Sequence, residues 1–366
     1  MKKILIHLIV AARPNFMKIA PLYHALSREE WCDPVLIHTG QHYDENMSDS
    51  FLHDLGLPEP HWNLGAGSGT HAEQTAGVMI AYEKVCQQQT PDWVIVVGDV
   101  NSTMACAIAA KKLNLSVAHL EAGLRSRDMS MPEEINRVVT DAISDVLWTP
   151  SPDADDNLLN EGIPRKKIVR TGNIMMDSFE MLRPKIEKEH TSLSYGLTPG
   201  SYGVVTVHRP VNVDDTGNLS RLVSLLVQIS KKIPLVFPVH PRTYHRLESC
   251  GLLELLKKEP DIHLTEPLGY IRFMSLVQNA KLIITDSGGV QEETTYLNIP
   301  CLTLRENTER PITITQGTNQ LVRIDTLMER VNTIMKGENQ KAICPEFWDG
   351  HTAERVVKSI KEINGI

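Results

Sequence analysis

The sequence lacks the marks of several common classes of protein. Its six cysteines are scattered and form no C-x-x-C pair, so neither a zinc module nor a dense disulfide framework is indicated. The net charge of −8 argues against a nucleic acid or an anionic membrane as the main partner, because such partners need a basic surface. No apolar run reaches the ~18 residues of a membrane span. Cysteines such as Cys301 lie in apolar runs, which suits reduced thiols and indicates the cytoplasm.

Three enzyme signatures are also missing or out of place. The sequence contains neither a G-x-x-x-x-G-K-[ST] motif nor a G-x-S-x-G motif, which disfavours a Walker-type ATPase and an α/β-hydrolase. The glycine-rich stretch GAGSGT at residues 65–70 does not follow the first predicted strand, as a dinucleotide-binding loop would. A nicotinamide enzyme is therefore not expected.

The first half of the chain alternates short apolar runs with segments of helical period. With 366 residues, the chain is longer than one hydrophobic core usually supports, so two domains are expected. The N-terminal run, preceded by Lys2 and Lys3, resembles a secretory signal, but it contains His7 and leads directly into Arg13, which favours a buried first strand. Strands are predicted at 4–11, 34–38, 93–97, 115–119 and 146–150, and helices near 16–27, 43–55, 71–88, 102–113, 133–145 and 152–161.

The same alternation restarts in the second half. Strands are predicted at 203–207, 234–239, 262–264, 281–285 and 300–304, and helices near 217–231, 243–257, 270–279, 289–297 and 325–336. Apolar strands separated by helices indicate parallel sheets covered on both faces, and hence an α/β fold of two Rossmann-like, doubly wound domains facing across a cleft. The expected domains are 1–172, 173–350 and a C-terminal segment, 351–366, whose helix over 352–363 could pack back on the first domain.

Charged residues follow the strands of the first half. Arg13 and Lys18 come after the first strand, Asp99 after the third, and Glu121 after the fourth, while Glu133 begins a helix. Solvated cations at a helix end and a plain helix cap at Asp99 are the structural alternatives. Because open α/β sheets bind ligands beyond the carboxyl ends of their strands, several acids there favour a site with separate acid and base roles.

The second half repeats this placement. His208 follows the strand at 203–207, and His240 follows the strand at 234–239. A strand then ends at Asp286, and residues 287–289 open a helix whose backbone N–H groups would suit an anion. Two acids, one of them Glu293, follow within about one turn of that helix.

Taken in order, the motifs resemble one family. ARPNFMKIAPL, TGQHYDENM, GDVNST, HLEAGLRS, MPEEINR, VHR, PVHPR, TDSGGVQEE and TERPI look like those of the non-hydrolysing UDP-N-acetylglucosamine 2-epimerases, which share the GT-B fold. The resemblance covers nearly the whole chain. It implies interconversion of UDP-GlcNAc and UDP-ManNAc with no nicotinamide or metal cofactor, by elimination of UDP to a 2-acetamidoglucal and its re-addition. It also implies a cytoplasmic homodimer that supplies glycan precursors.

The same resemblance implies roles for single residues. Asp99, Glu121 and Glu133 match the catalytic carboxylates, and His208 matches a catalytic histidine; which carboxylate is base and which is acid stays open. Residues 287–289 match the pyrophosphate-binding turn, Glu293 the acid that binds ribose, and Phe273 a residue near the uracil. The implied substrate-binding residues are Arg13, Lys18, His240, Phe273, Ser287, Gly288, Gly289, Glu293 and Arg310.

Some positions depart from the family pattern, and they leave the exact sugar and a second, regulatory UDP-GlcNAc site open. Asn15 stands where many relatives carry Glu, HRPVNVDD replaces the commoner HR-x-EN, and Leu268 occupies a position that is polar in some relatives. The alternatives are a hydrolysing 2-epimerase that releases ManNAc and UDP, a 2-epimerase of a modified UDP-HexNAc, a GT-B glycosyltransferase and a binding-only sensor of nucleotide sugars.

Overall fold

Two parallel β-sheets organise the chain in the computed structural model, which describes residues 3–40, 52–67, 69–338 and 342–366. The chain divides into unit 1, which comprises Met1–Met181 and Glu346–Ile366, and unit 2, which comprises Leu182–Pro345. Each unit carries one sheet with helices packed on it. The prediction of two parallel-sheet α/β domains is confirmed.

The sheet of unit 1 has the strand order β3-β2-β1-β4-β5-β6-β7. Its strands are β1 (Ile4–Val10), β2 (Cys32–His38), β3 (Trp62–Asn63), β4 (Trp93–Val97), β5 (Ser116–Leu120), β6 (Val146–Thr149) and β7 (Ile168–Arg170). Its first 181 residues include the helices α1 (Arg13–Ser27), α2 (His71–Gln88), α3 (Asn101–Lys112), α4 (Pro132–Ile143), α5 (Pro152–Asn160) and the start of α6 (Ile174–Glu189).

The sequence explains why β1 and β4 occupy the centre of this sheet. All five residues of β4 and the last five of β1 are buried, as expected for apolar strands that have helices on both faces. The predicted first strand is thus confirmed. The strands that the sequence did not reveal, β3 and β7, are two and three residues long and form the two edges of the sheet.

The sheet of unit 2 has the order β10-β9-β8-β11-β12-β13. Its strands are β8 (Gly203–Thr206), β9 (Leu235–Pro238), β10 (Ile262–Thr265), β11 (Leu282–Thr285), β12 (Cys301–Thr303) and β13 (Asn319–Leu321). Its helices are α7 (Pro210–Val213), α8 (Thr216–Ser230), α9 (Pro241–Ser249), α10 (Leu253–Lys257), α11 (Tyr270–Val277), α12 (Gly288–Tyr296), α13 (Ile312–Thr315) and α14 (Ile324–Met335). The single helix predicted over 243–257 is wrong, because Gly251, at φ 68°, separates α9 from α10.

The C-terminal helix (Thr352–Asn364) packs against α1 and belongs to unit 1. Asp177 of α6 fixes its start by accepting hydrogen bonds from the backbone N–H groups of Thr352 (3.1 Å) and Ala353 (2.7 Å). Most of the helix predicted near 43–55, and residues 41–47 of the TGQHYDENM motif, lie outside the described residues. Within the described ranges no helix is long and apolar enough to cross a bilayer.

Each sheet has one point at which the chain order reverses. In unit 1 the reversal lies between the neighbours β1 and β4, and in unit 2 between β8 and β11. The carboxyl ends of strands that flank such a reversal are where open α/β sheets bind ligands. The residues that follow β1, β4 and β5, and those that follow β8 and β11, are therefore the candidate site residues of their units.

Candidate active site

In unit 1, the residues after β1, β4 and β5 meet in one buried cluster. Lys18 on the second turn of α1 forms an ion pair with Glu121, whose side chain is only 5% exposed. Asn15 donates a hydrogen bond to the carbonyl oxygen of Val97 (2.9 Å), which joins the start of α1 to the end of β4. Glu121 adopts φ 74°, a strained conformation for a residue with a side chain. The cluster thus brings together two of the residues predicted from sequence, Lys18 and Glu121.

Gly98 lies against this cluster in a backbone conformation that favours glycine. The residue has φ 69°, and a Cβ atom on it would lie 3.3 Å from Nζ of Lys18, 3.4 Å from Oε2 of Glu121 and 3.5 Å from Nδ2 of Asn15. Glycine satisfies both the backbone conformation and the close approach. The turn that carries Asp99 out of β4 therefore packs directly on the Lys18–Glu121 ion pair.

Asp99 is not the cap of the following helix, which corrects one of the two alternatives drawn from its sequence. The N-cap of α3 is Val100, and the carboxylate of Asp99 instead forms an ion pair with Arg137 of α4. The backbone oxygen of Asp99 accepts a hydrogen bond from Asn136 (2.8 Å). The side chain of Asp99 is 32% exposed, whereas that of Arg137 is 3% exposed, so the cation is buried and the acid is open to a ligand.

Two adjacent acids at the start of α4 have different surroundings. Glu133 is exposed, whereas Glu134 is buried and accepts hydrogen bonds from the backbone of Ser126 (3.0 Å) and Arg127 (2.8 Å) and from Arg137 (2.6 Å). Burial raises the pKa of Glu134, but these hydrogen bonds outweigh it and the pKa is lowered. Glu134 thus shapes the loop before α4, and Glu133 is the acid available to a ligand.

Arg13, the remaining site residue predicted in this unit, is the first residue of α1 and is exposed. It occupies the same helix as Lys18, at the carboxyl end of β1. Arg13 is therefore a cation close to the point between β1 and β4 where the strand order of the sheet reverses.

In unit 2, Asp286 organises the residues that follow β8. This fully buried carboxylate accepts hydrogen bonds from the backbone N–H groups of His208 (3.0 Å) and Arg209 (2.9 Å), from Asn212 (2.9 Å) and from Nδ1 of His208 (3.0 Å). Burial raises the pKa of Asp286, but these partners, His208 foremost, outweigh it and the pKa is lowered. Asp286 thereby fixes the orientation of the His208 ring, whose side chain remains 40% exposed.

His240 lies beside His208. The two rings have centroids 5.4 Å apart and are tilted by 34°. His240 is the N-cap of α9, and its Nδ1 accepts a hydrogen bond from the backbone N–H of Arg242 (3.2 Å). Nδ1 of His240 must therefore be unprotonated. Burial, with a contribution from His208, lowers the pKa of His240. The pair therefore presents a neutral imidazole at His240 next to the ring that Asp286 orients.

The glycines at the start of α12 have contrasting neighbours. A Cβ atom on Gly288 would lie 2.7 Å from Oε1 of Glu309 and 2.9 Å from Nη1 of Arg310, whereas one on Gly289 would meet no atom within 4 Å. Ser287 is the N-cap, and its N–H donates to Oγ1 of Thr285 (3.0 Å). Gly288 is therefore needed by the protein's own packing, and Gly289 offers its backbone to whatever approaches the helix start.

Arg310 is held beside this helix start by two carboxylates. Its Nε lies 2.8 Å from Oε2 of Glu292, and its Nη1 forms an ion pair with Glu309. Arg305 also pairs with Glu309 (2.8 Å). Burial raises the pKa of Glu309, but the two arginines outweigh it and the pKa is lowered. Glu292 thus balances a buried guanidinium and is not positioned as an independent acid.

Glu293 is the acid of this helix with an unusual protonation equilibrium. It is 5% exposed, and burial raises its pKa to about 8, with a further contribution from Glu292 that Tyr270 partly offsets. Tyr270 begins α11, and Phe273 lies half-buried three residues later on the same helix. Helix α11 therefore places Tyr270 next to Glu293 of α12. Phe273, the residue predicted to lie near the uracil, is on the same helix as Tyr270.

Several residues of these clusters were not predicted from the sequence. Arg137, Asn136 and Asp286 lie within the motifs quoted above, but they act through partners 37 to 78 positions away in the chain, and the motifs do not reveal those contacts. Across the described part of the chain, no group of three or more His, Cys, Asp or Glu side chains is arranged to hold a metal ion. What unit 1 offers is a set of fixed carboxylates beside cations, and unit 2 offers a helix start, a buried acid and an arginine.

Comparisons with known proteins point to one family. The family model for UDP-N-acetylglucosamine 2-epimerase matches residues 24–361. The UDP-N-acetylglucosamine 2-epimerase of Methanocaldococcus jannaschii is 42% identical over 359 residues, which cover 96% of this chain and 97% of the relative. The UDP-2,3-diacetamido-2,3-dideoxy-D-glucuronate 2-epimerase of Pseudomonas aeruginosa is 39% identical over 331 residues, covering 89% and 90% of the two chains.

Solved structures are similar over the whole chain. The crystal structure of the M. jannaschii UDP-GlcNAc 2-epimerase in complex with UDP-GlcNAc and UDP matches with a TM-score of 0.88 and 41% identity, covering 98% of this chain and all of that one. The Neisseria meningitidis enzyme bound to UDP-GlcNAc matches with a TM-score of 0.88 and 26% identity, covering 98% of this chain and all of that one.

Proposed function

The chain belongs to the UDP-N-acetylglucosamine 2-epimerase family, and we propose that it interconverts UDP-GlcNAc and UDP-ManNAc by eliminating and re-adding UDP. The observation that carries this proposal is the arrangement at the strand ends of unit 1. Two carboxylates, Asp99 and Glu121, are held by ion pairs with Arg137 and Lys18, and Glu133 is exposed on the helix that supplies Arg137.

The reaction needs proton transfer on both faces of the sugar. A carboxylate takes the C2 proton, the C2–H electron pair forms the C1=C2 double bond, and the C1–O bond breaks with its electron pair leaving on UDP. The reverse steps add UDP to C1 and a proton to the opposite face of C2. Inversion therefore requires at least two proton-handling groups in fixed places, and Asp99, Glu121 and Glu133 supply them.

The nucleotide is assigned to residues of unit 2. The start of α12 at Ser287, Gly288 and Gly289 binds the pyrophosphate, since a helix N-terminus offers N–H donors and partial positive charge. Glu293, one turn further along, accepts hydrogen bonds from the ribose hydroxyls. Arg310 adds positive charge beside the phosphates.

The remaining cations and rings complete the assignment. Arg13 and Lys18 favour the departure of UDP by balancing negative charge on the leaving group. His208 and His240 contact the substrate at the carboxyl ends of β8 and β9, and Phe273 lies near the uracil. The positions of Arg13, His208 and His240 at helix starts or after strand ends support these roles, as do Lys18 on the second turn of α1 and Phe273 three residues into α11.

The test is incubation of the protein with UDP-GlcNAc in deuterated water, followed by NMR. Both epimers should carry deuterium at C2, and product without the label would overturn the mechanism. Free ManNAc and UDP accumulating together would instead identify the hydrolysing reaction. Asp99→Asn should lower turnover by about 10²–10⁴-fold, whereas the matched change Asp156→Asn, at an exposed position of α5, should leave it unchanged.

A second candidate substrate is a modified UDP-HexNAc, which the similarity to the P. aeruginosa enzyme favours. The same deuterium experiment with UDP-GlcNAc and with a 2,3-diacetamido uronic acid analogue would rank the two sugars by kcat/KM. A cytoplasmic location and a homodimer stay predictions, and sedimentation of the purified protein tests the latter.

A further inference from the structure

A network of four charged side chains, three of them buried, lies behind the Gly98–Asp99 turn. Nδ1 of His119 on β5 lies 2.6 Å from Oδ1 of Asp141 on α4, and Oδ2 of Asp141 accepts a hydrogen bond from Nη1 of Arg125 (2.7 Å). Arg125 also pairs with Glu161 (2.7 Å). The side chains of the first three residues are no more than 1% exposed.

The hydrogen bonds of His119 determine how many protons its ring carries. Nε2 lies 2.9 Å from the backbone oxygen of Gly98, which can only accept, so Nε2 must be protonated. Asp141 already accepts from Arg125 and from the backbone N–H of Gly123 (3.1 Å), as an ionised carboxylate does. Burial raises the pKa of Asp141, but His119 and Arg125 outweigh it and the pKa is lowered.

An ionised Asp141 can only accept from Nδ1 as well. Both ring nitrogens of His119 are then donors, and the ring is an imidazolium. Two cations, His119 and Arg125, balance the buried Asp141 and the exposed Glu161, and Glu161 also pairs with Arg127 (3.6 Å). The Lys18–Glu121 pair, which packs on Gly98, is balanced in the same way.

The network connects α4 to the turn that carries Asp99. One helix supplies Asp141 to His119, Arg137 to the carboxylate of Asp99 and Asn136 to the backbone oxygen of Asp99. The backbone N–H of Gly98 donates a hydrogen bond to the backbone oxygen of Leu120 (3.2 Å). The backbone oxygen of Gly98 accepts one from Nε2 of His119, so both backbone groups of Gly98 are fixed.

We propose that His119 is a positioning residue for the reaction: as an imidazolium between Asp141 and Gly98, it sets the position of Asp99 relative to Glu121 and to the start of α4. The inference rests on the proposed function for its catalytic consequence only. A positioning role differs from a purely structural one in its effect on kcat. It requires that loss of the Nε2 donor and loss of the Nδ1 donor change kcat by different amounts.

Two conservative variants separate these donors. Gln at position 119 can place its amide N–H₂ near the position of Nε2 and donate to Gly98, whereas Asn can place its amide near Nδ1 and reach only Asp141. His119→Gln should therefore retain kcat within about fivefold of the wild type, and His119→Asn should lose at least tenfold more in kcat. The dissociation constant for UDP, measured by calorimetry, should be unchanged in both.

The outcomes are distinguishable. Equal kcat in the two variants, or a loss of UDP affinity that matches the loss of kcat, would overturn the positioning role. If His119→Asn does not fold, NMR of the wild type labelled with ¹⁵N-histidine decides, since it needs no substrate. The signals assigned to His119 by their loss in His119→Gln should show protons on both ring nitrogens at pH 7, and a single protonated nitrogen would refute the proposal. Failure of the proposed function would appear separately, as absence of C2 exchange in the wild type.

Discussion

Glu293→Gln should make unit 2 more stable at neutral pH while weakening nucleotide binding. Burial raises the pKa of Glu293 from 4.5 to about 8, so the unfolded chain releases this proton at a lower pH than the folded protein does. The wild type therefore loses stability as the pH rises from about 4.5 to about 8. At pH 7 the loss amounts to about 3 kcal/mol, because each unit of pKa difference contributes about 1.4 kcal/mol. Glutamine cannot ionise, so the Glu293→Gln variant does not lose this stability as the pH rises.

The pH dependence identifies the cause, because effects of the amide itself are the same at every pH. The free energy of unfolding of Glu293→Gln relative to wild type should rise by about 2.5 kcal/mol between pH 5 and pH 7. Urea denaturation followed by circular dichroism measures it. All five tryptophans lie in unit 1, so their fluorescence follows the unfolding of unit 1 in the same samples.

Glu292→Gln is the matched control. It makes the same chemical change at the adjacent position, but Glu292 pairs with the buried Arg310, so its loss should destabilise the protein at both pH values. A difference between Glu293→Gln and the wild type that does not depend on pH would refute the reasoning. UDP affinity should fall by roughly 10–100-fold in Glu293→Gln, as expected for one lost hydrogen-bonding partner that is charged.

Three other outcomes are expected. UDP binding between pH 6 and pH 8 should release up to one proton as Glu293 ionises to accept the ribose hydroxyls; calorimetric enthalpies that do not vary with the buffer would contradict this. Gly289→Ala should fold normally yet bind UDP at least tenfold more weakly, whereas Gly288→Ala should lower stability, since its methyl group would lie 2.7 Å from a carboxylate oxygen; equal thermal stability would argue against this contrast. Gly98→Ala should lower stability by about 1–2 kcal/mol because of its φ of 69°, and should reduce kcat more than UDP affinity through its contact with Lys18; an unchanged kcat would remove that contact from the reaction.

The periodic parts of the chain could be predicted, and the short or bent parts could not. β1 and β4 are continuous apolar runs, so their existence and place in a buried sheet follow from the sequence. β3 and β13 have two and three residues at sheet edges, which is too short for any period to show. The helix α6 was not predicted, and Pro184 lies inside it where a break would be expected.

The candidate site divides in the same way. Acids that follow strands were predicted because the position of a residue after a strand can be read locally. The partners of the predicted site residues could not be predicted, because they are distant in the chain. Arg137 contacts Asp99 from 38 positions away, and Asp286 contacts His208 from 78 positions away. His119 was not singled out, although it opens the HLEAGLRS motif, because it lies within a strand and its partners Asp141 and Gly98 are 22 and 21 positions away.

The two units place their acids in opposite electrostatic settings. In unit 1 the carboxylates of Asp99 and Glu121 each face a cation of the same unit, so their charge is balanced before any substrate arrives. In unit 2, Glu293 lies beside another acid, Glu292, whose cation is shared with Glu309, and burial keeps Glu293 largely protonated near neutral pH. Hydroxyl donors from a ribose would favour its ionised form. Under the proposed ribose-binding role, nucleotide binding and deprotonation of Glu293 form one linked equilibrium.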